Sequence, residues 1–148
     1  MRTLLVLSLS AAAFAAADTG VPATYKTEAD LIKALAAGAA TPDMLTAVVQ
    51  NNDRHRINVV RRTKAAGATA HEGFAELHHI MEGSGTLVTG GTLVRPPGGR
   101  GAGPATIDGG VSRRVAKGDV ILVPSGVPHW YKDLDGTITY LEVRWEEK

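Results

Sequence analysis

The stretch "HEGFAELHHIMEGSG", His71 to Gly85, gathers three histidines and three glutamates in a chain of 148 residues that has only five histidines. There is no cysteine, which excludes thiolate ligands, thiol nucleophiles and cluster chemistry, so any bound metal must be held by nitrogen and oxygen. Imidazole and carboxylate together suit divalent transition metals, and the same groups move protons. A solvated hairpin that is merely rich in histidine is the rival reading. Some fifty residues on, "GDVILVPSGVPHWYKD" ends an apolar run with Pro124 and Gly126 in a tight turn and then presents His129.

Strand geometry decides which of these side chains can meet. With a period of two, Glu76, His78 and Ile80 share one face of a strand through 76–82, and Leu77, His79 and Met81 share the other. Only His78 of the paired histidines therefore lies beside Glu76, and His79 faces away as an ordinary strand residue. His71 precedes "EGF", where a turn could bring it back opposite Glu76. Glu76 facing inward without a cation would carry a large desolvation cost, so a metal or another strong partner is expected. Tyr131 falls on the same face as His129 and could line a pocket, whereas Trp130 packs on the outer sheet. His55, in "DRHR", reads as solvated.

The surrounding chain supplies the scaffold. From about Ile57 onward, short runs of Val, Ile, Leu and Thr alternate with Gly and Pro, the pattern of an all-β sandwich or barrel. The predicted strands are "INVVRRT", "AELHHIM", "GTLVTGGTLV", "VSRRV", "DVILVP" and "TITYLEVRW". In the last, Leu141, Val143 and Trp145 alternate with Glu142 and Arg144, which predicts one buried and one wet face. Upstream, "TEADLIKALAA" (Thr27 to Ala37) predicts a helix capped by Thr27 with Asp30 three residues later and stopped by Gly38. Thr41 and Pro42 predict the start of a second short helix with Met44, Leu45, Val48 and Val49 on its apolar face. "RPPGGRGAGPATIDGG", Arg95 to Gly110, reads as a Gly/Pro excursion that either covers a pocket or has no function. Arg100, Arg113 and Arg114 near it could meet an anionic substrate or simply solubilise the surface.

Residues 1–17, "MRTLLVLSLSAAAFAAA", combine Arg2, an apolar run from Leu4 to Leu9 and an Ala-x-Ala ending, the pattern of a secretory signal peptide rather than a membrane span. The predicted organisation is a leader at 1–17, a helical segment and linker at 18–56, and a barrel at 57–148. Loss of the leader removes Arg2 and leaves 15 basic and 15 acidic side chains, a balance with no electrostatic footprint for nucleic acid or an anionic membrane.

The run Gly118-x5-Pro124-x-Gly126-x2-His129 resembles the second signature of the cupins, whose usual final Asn falls at Asp133. His71, four residues, Glu76 and six residues to Gly83 resemble the first signature, with Thr69 where the family has its first histidine. The resemblance spans roughly Gly67 to Asp133. It implies a jelly-roll barrel, the double-stranded β-helix, with one or two short N-terminal helices and one metal ion near an end of its interior. By resemblance the ligands are His71, Glu76 and His129. Thr69 is a weak ligand, and the inward-facing His78 is the substitute this sequence offers as a fourth. Zn, Fe, Mn, Ni and Cu all suit such a set. The expected function is a secreted or periplasmic metal-dependent enzyme, a dioxygenase, lyase or isomerase acting on a small oxygenated molecule, with His78 or Tyr131 moving protons. A non-catalytic module that holds a metal or small ligand is the alternative. Cupins pair through their sheets, so a homodimer is implied by the same resemblance.

Overall fold

In the computed structural model of the protein, residues 20, 23–98 and 102–147 are described, and the leader expected at 1–17 lies outside them. Helix α1 spans Glu28–Leu35. Its cap forms as the sequence predicts: the Asp30 N–H donates to the Thr27 hydroxyl at 3.1 Å and the Thr27 N–H donates to the Asp30 carboxylate at 2.9 Å. Two donors that a helix start would leave unpaired are thereby satisfied.

Among the described residues nine strands follow: β1 (Ala39–Ala40), β2 (Met44–Asn51), β3 (His55–Arg62), β4 (Phe74–Thr89), β5 (Thr92–Val94), β6 (Thr106–Asp108), β7 (Val111–Ala116), β8 (Val120–Val123) and β9 (His129–Glu146). The main sheet is antiparallel in the order β1-β2-β3-β9-β4-β7, with β8 also on β4, and β5 and β6 form a separate ribbon. Strands β4 and β9 are long enough to serve both layers. One edge of β4 pairs with β9 throughout, while the other pairs with β8 over 76–79 and with β7 over 84–89. Three register shifts in the β4–β9 ladder fall between these two halves or just beyond. Each leaves an extra residue unpaired and bends the strand, which lets one sheet wrap into the barrel.

Two apolar clusters hold the barrel. Val60, Ile80, Leu87, Val115, Tyr131, Ile138 and Tyr140 fill its interior. Leu35, Ala47, Val59 and Met81 form a second cluster beneath α1, with Leu31 and Ile32 packed against it. Val59 and Val60 are thus both buried, on opposite faces of β3, because the helix roofs the outer face. Burial of such a side chain contributes roughly 1.5–3 kcal/mol.

The second helix expected from Thr41 is instead strand β2. The cap-like residues make a tight turn: Thr41 N–H donates to Met44 O at 2.8 Å and the Thr41 hydroxyl donates to Asp43 at 2.7 Å. The apolar residues that follow are satisfied by pairing with β3, Met44 opposite Arg62 and Thr46 opposite Val60. Tertiary pairing outweighs the local helix signal, and the sheet takes in residues expected to precede the barrel. The Gly/Pro excursion is not wholly irregular either, since Thr106–Asp108 is a strand and Ala105 O accepts from Ala68 N–H at 2.8 Å.

Candidate metal centre

Ladder register assembles a polar interior from alternate residues of three neighbouring strands. Glu76 of β4 lies opposite Arg144 of β9, which lies opposite Arg56 of β3; in the next inward row His78, Glu142 and Asn58 line up, and beyond it Ile80, Tyr140 and Val60. Inward-facing side chains alternate along each strand. The result is a cavity of about 300 Å³ whose wall includes His71, Glu76, His78, His129, Tyr140 and Glu142. Glu76 and His78 are each 1% exposed and His129 is 4% exposed.

Two turns docked on one another aim the remaining ligands. His71 O accepts from Phe74 N–H at 3.3 Å, closing a turn in which Gly73 has φ +77°, and Pro124 O accepts from Val127 N–H at 3.2 Å around Gly126 with φ +73°. A positive φ at the third turn position calls for glycine. The Gly126 N–H then donates to His71 O at 3.1 Å, which joins the two turns, and a Cβ on Gly126 would meet the Glu72 carboxylate at 2.9 Å. Thr69 and His129 exchange backbone hydrogen bonds at 3.0 and 2.8 Å. Segments distant in sequence therefore deliver His71 and His129 to the same end of the barrel as Glu76.

There the three side chains converge. His71 Nε2 is 3.4 Å from Glu76 Oε1, and His129 Nε2 is 3.3 Å from Glu76 Oε2. One ligand atom from each of the three lies within 4.8 Å of the other two. Donors about 2.0–2.2 Å from a shared ion stand roughly 3–3.5 Å apart, so the set fits one ion. Proton bookkeeping points the same way. The carbonyl of Val127 lies 3.2 Å from His129 Nδ1 and can only accept, so Nδ1 carries a proton. A neutral ring would then turn its Nε2 lone pair on a carboxylate oxygen, so the contact needs either a second proton on Nε2 or a cation between the two. Glu76 Oε1 is buried with no aligned hydrogen bond. It touches Arg144 NH2, which compensates its charge without bonding geometry.

No protein-family model matches the sequence, and no curated protein matches it. Solved structures match over most of the chain. KdgF from Halomonas sp. aligns over 74% of this chain and 86% of its own with a TM-score of 0.51 at 13% identity. A predicted oxalate decarboxylase from Thermotoga maritima aligns over 70% and 81% with a TM-score of 0.53 at 17% identity. The cupin domain of Cnp3 from Schizosaccharomyces pombe aligns over 70% and 65% with a TM-score of 0.50 at 12% identity. The chain folds as a cupin.

Within this fold, His78 takes a different place from the other two histidines. Its Nδ1 is 3.0 Å from the Tyr131 hydroxyl and its Nε2 is 3.2 Å from Glu76 Oε2. If the phenol donates to Nδ1, Nε2–H donates to Glu76, and the neutral ring orients the carboxylate. Burial pushes the Glu76 carboxyl up, but the bonds from His129 and His78 and the charges of His129 and Arg144 outweigh it and hold the group far below the usual carboxylate range. Burial, helped by Arg144 and His129 and opposed by Glu76, holds His71 below its ordinary value. Its Nε2 lies 3.3 Å from Arg144 NH2, a pure donor, and so presents a lone pair, as a metal ligand must.

Tyr140, Glu142, Arg144, Asn58 and Arg62 line the cavity and were not singled out from the sequence. The polar face of "TITYLEVRW", expected to be wet, is the one that turns inward: Tyr140 and Glu142 are buried, and Asn58 Nδ2 donates to Glu142 Oε1 at 2.8 Å. Thr69 lines the cavity, whereas His79 is exposed on the outer face and His55 bonds Asn52 at the surface. Tyr131 is buried behind His78, and Tyr140 takes the place on the wall. Burial pushes the Tyr140 hydroxyl up to about 12, against the nearby Arg62 guanidinium. The folded state thus keeps a proton that the unfolded state releases near pH 10. Stability present below pH 10 is lost as pH rises to 12, by about 3 kcal/mol if the full shift is realised. Urea unfolding from pH 9 to 11 should show this decline, and Tyr140→Phe should make it shallower.

Proposed function

We propose that this cupin holds one divalent transition-metal ion through His71, Glu76 and His129 and acts on a small oxygenated molecule admitted to the cavity, as a dioxygenase, lyase or isomerase. The observation that carries the reading is the pair of Nε2 atoms facing the two oxygens of one buried carboxylate at 3.3 and 3.4 Å. Held there, a divalent ion would supply Lewis-acid or redox chemistry, polarising a carbonyl or activating oxygen. His78, backed by Tyr131, fixes the carboxylate. Tyr140 accepts a hydrogen bond from Arg62 Nε at 3.1 Å, which leaves its own O–H free to donate into the cavity and to move a proton there. The N-terminal residues 1–17 support a secreted or periplasmic location, and the exposure of Val120 and Leu122 on β8 supports pairing of two copies.

A second reading, a module that binds a small molecule with neither metal nor turnover, is favoured by one specific observation: Arg144 already lies on Glu76 where a cation would compete. Elemental analysis of protein purified without added metal separates the two. About one ion per chain is expected, with loss of at least 100-fold in affinity for His129→Ala. His78→Ala should lose roughly 10–100-fold, the range for a residue that orients a ligand. Absence of metal from the wild type even after incubation with Zn, Fe, Mn, Ni or Cu would overturn the first reading and leave the second.

A further inference from the structure

Cavity charge is unevenly compensated. Among the described residues three arginines line it, Arg56, Arg62 and Arg144, against two acids, Glu76 and Glu142. Both acids belong to Arg144, which touches Glu76 and lies 3.7 Å from Glu142. Arg62 makes no ion pair among the described residues. Its guanidinium carbon lies 5.4 Å from the Tyr131 ring centroid and 6.0 Å from that of Tyr140, and its Nε donates to the Tyr140 hydroxyl. Ring faces favour a cation but do not neutralise it. Asp43 acts on it through its charge, but that carboxylate accepts from the Thr41 hydroxyl at 2.7 Å and forms no ion pair with the guanidinium. With Nε engaged, the NH1 and NH2 pair is left without a partner among the described residues.

We propose that Arg62 marks an anion subsite of the cavity, one that takes the carboxylate of a small organic acid. A planar two-oxygen anion matches the free edge of a guanidinium, and a partly buried cation lacking a counter-ion gains most from such a ligand. At roughly 30 Å³ per small-molecule-sized group, a cavity of about 300 Å³ admits about ten non-hydrogen atoms. Arg56, exposed at the rim and without an ion pair among the described residues, would draw anions inward. Of the arginines that the sequence brings forward for this role, Arg113 and Arg114 are engaged elsewhere. Arg114 pairs with Asp135 on the outside, Arg113 reaches Thr89, and Arg100 lies outside the described residues.

That the occupant is the molecule acted on rests on the proposed function, but the subsite itself does not. Calorimetric titration of the wild type, Arg62→Gln and Arg62→Lys with acetate, malonate, succinate and inorganic phosphate tests it, with elemental analysis on the same preparations. At least one carboxylate should bind the wild type at millimolar concentration or better. Arg62→Gln should weaken it at least tenfold, Arg62→Lys should restore part of the loss, and metal content should be the same in all three. No binding to the wild type, equal binding to Arg62→Gln, or tighter binding of phosphate than of any carboxylate would overturn the proposal. Should Arg62→Gln fail to fold, a loss of less than twofold in Arg62→Lys would overturn it, because a point charge cannot replace a two-pronged contact. Carboxylate binding by a wild type that takes up no metal would sink the metal reading and leave the subsite standing.

Discussion

Replacing Glu76 with Gln should abolish metal retention and lower the stability of the metal-free protein by about 3 kcal/mol. The side chain keeps its shape but loses its charge and trades one acceptor oxygen for an NH2 donor. That charge compensates Arg144 and accepts from His78 and His129, in a place where the carboxylate is 2% exposed. Removal of one partner from a buried ion pair typically costs about 3–5 kcal/mol, and the low end applies because the Arg144 side chain remains 25% exposed and keeps Glu142 nearby. The sign with pH follows from the depressed carboxyl. Since the folded protein holds Glu76 ionised well below its ordinary 4.5, the stabilisation is complete above that pH and shrinks as pH falls. Urea unfolding of metal-free wild type and Glu76→Gln should therefore give curves that differ most near pH 7 and converge on acidification. Equal metal content in the two proteins, or a stability gap that ignores pH, would show that Glu76 is not the anion on which the site is built.

Much of this arrangement is legible in the residues, for reasons that differ from part to part. Strand period alone places Glu76, His78 and Ile80 on one face, and their near-complete burial confirms it. The Pro124 and Gly126 spacing is equally readable, because a turn with positive φ restricts residue type locally. Arg144, Glu142 and Asn58 were hidden by a different ambiguity. Alternation separates the two faces of "TITYLEVRW" without saying which one meets bulk water, and a polar face turned into a cavity has the same pattern as a wet outer one. The missing information is register: Glu142 becomes interior only because it stands opposite His78 on one side and Asn58 on the other. The same limit explains β2, where Met44, Leu45, Val48 and Val49 satisfy a helical face as well as a strand, and only the partner strand decides.

Arg144→Met should move the metal-free and metal-bound proteins in opposite directions. Without metal, the substitution leaves Glu76 facing imidazoles with no permanent cation, and about 1–3 kcal/mol of stability should be lost. With metal the effect reverses, because the guanidinium contests the same lone pairs: it touches Glu76 Oε1 and lies 3.3 Å from His71 Nε2. Unit charges 4 Å apart interact by about 4 kcal/mol at an effective dielectric of 20, and a divalent ion doubles the repulsion. Most of that is relieved if the partly exposed side chain swings toward Glu142, so the expected gain in metal affinity is about 10–100-fold, or about 1.4–2.8 kcal/mol. Thermal unfolding with and without added Zn²⁺ or Mn²⁺ reads both effects, and the interval between the two midpoints should widen in Arg144→Met relative to the wild type. A narrower interval would mean that Arg144 holds the ligands in place for the ion instead of competing with it, since losing a competitor can only strengthen the ion's hold, whereas losing a support weakens it.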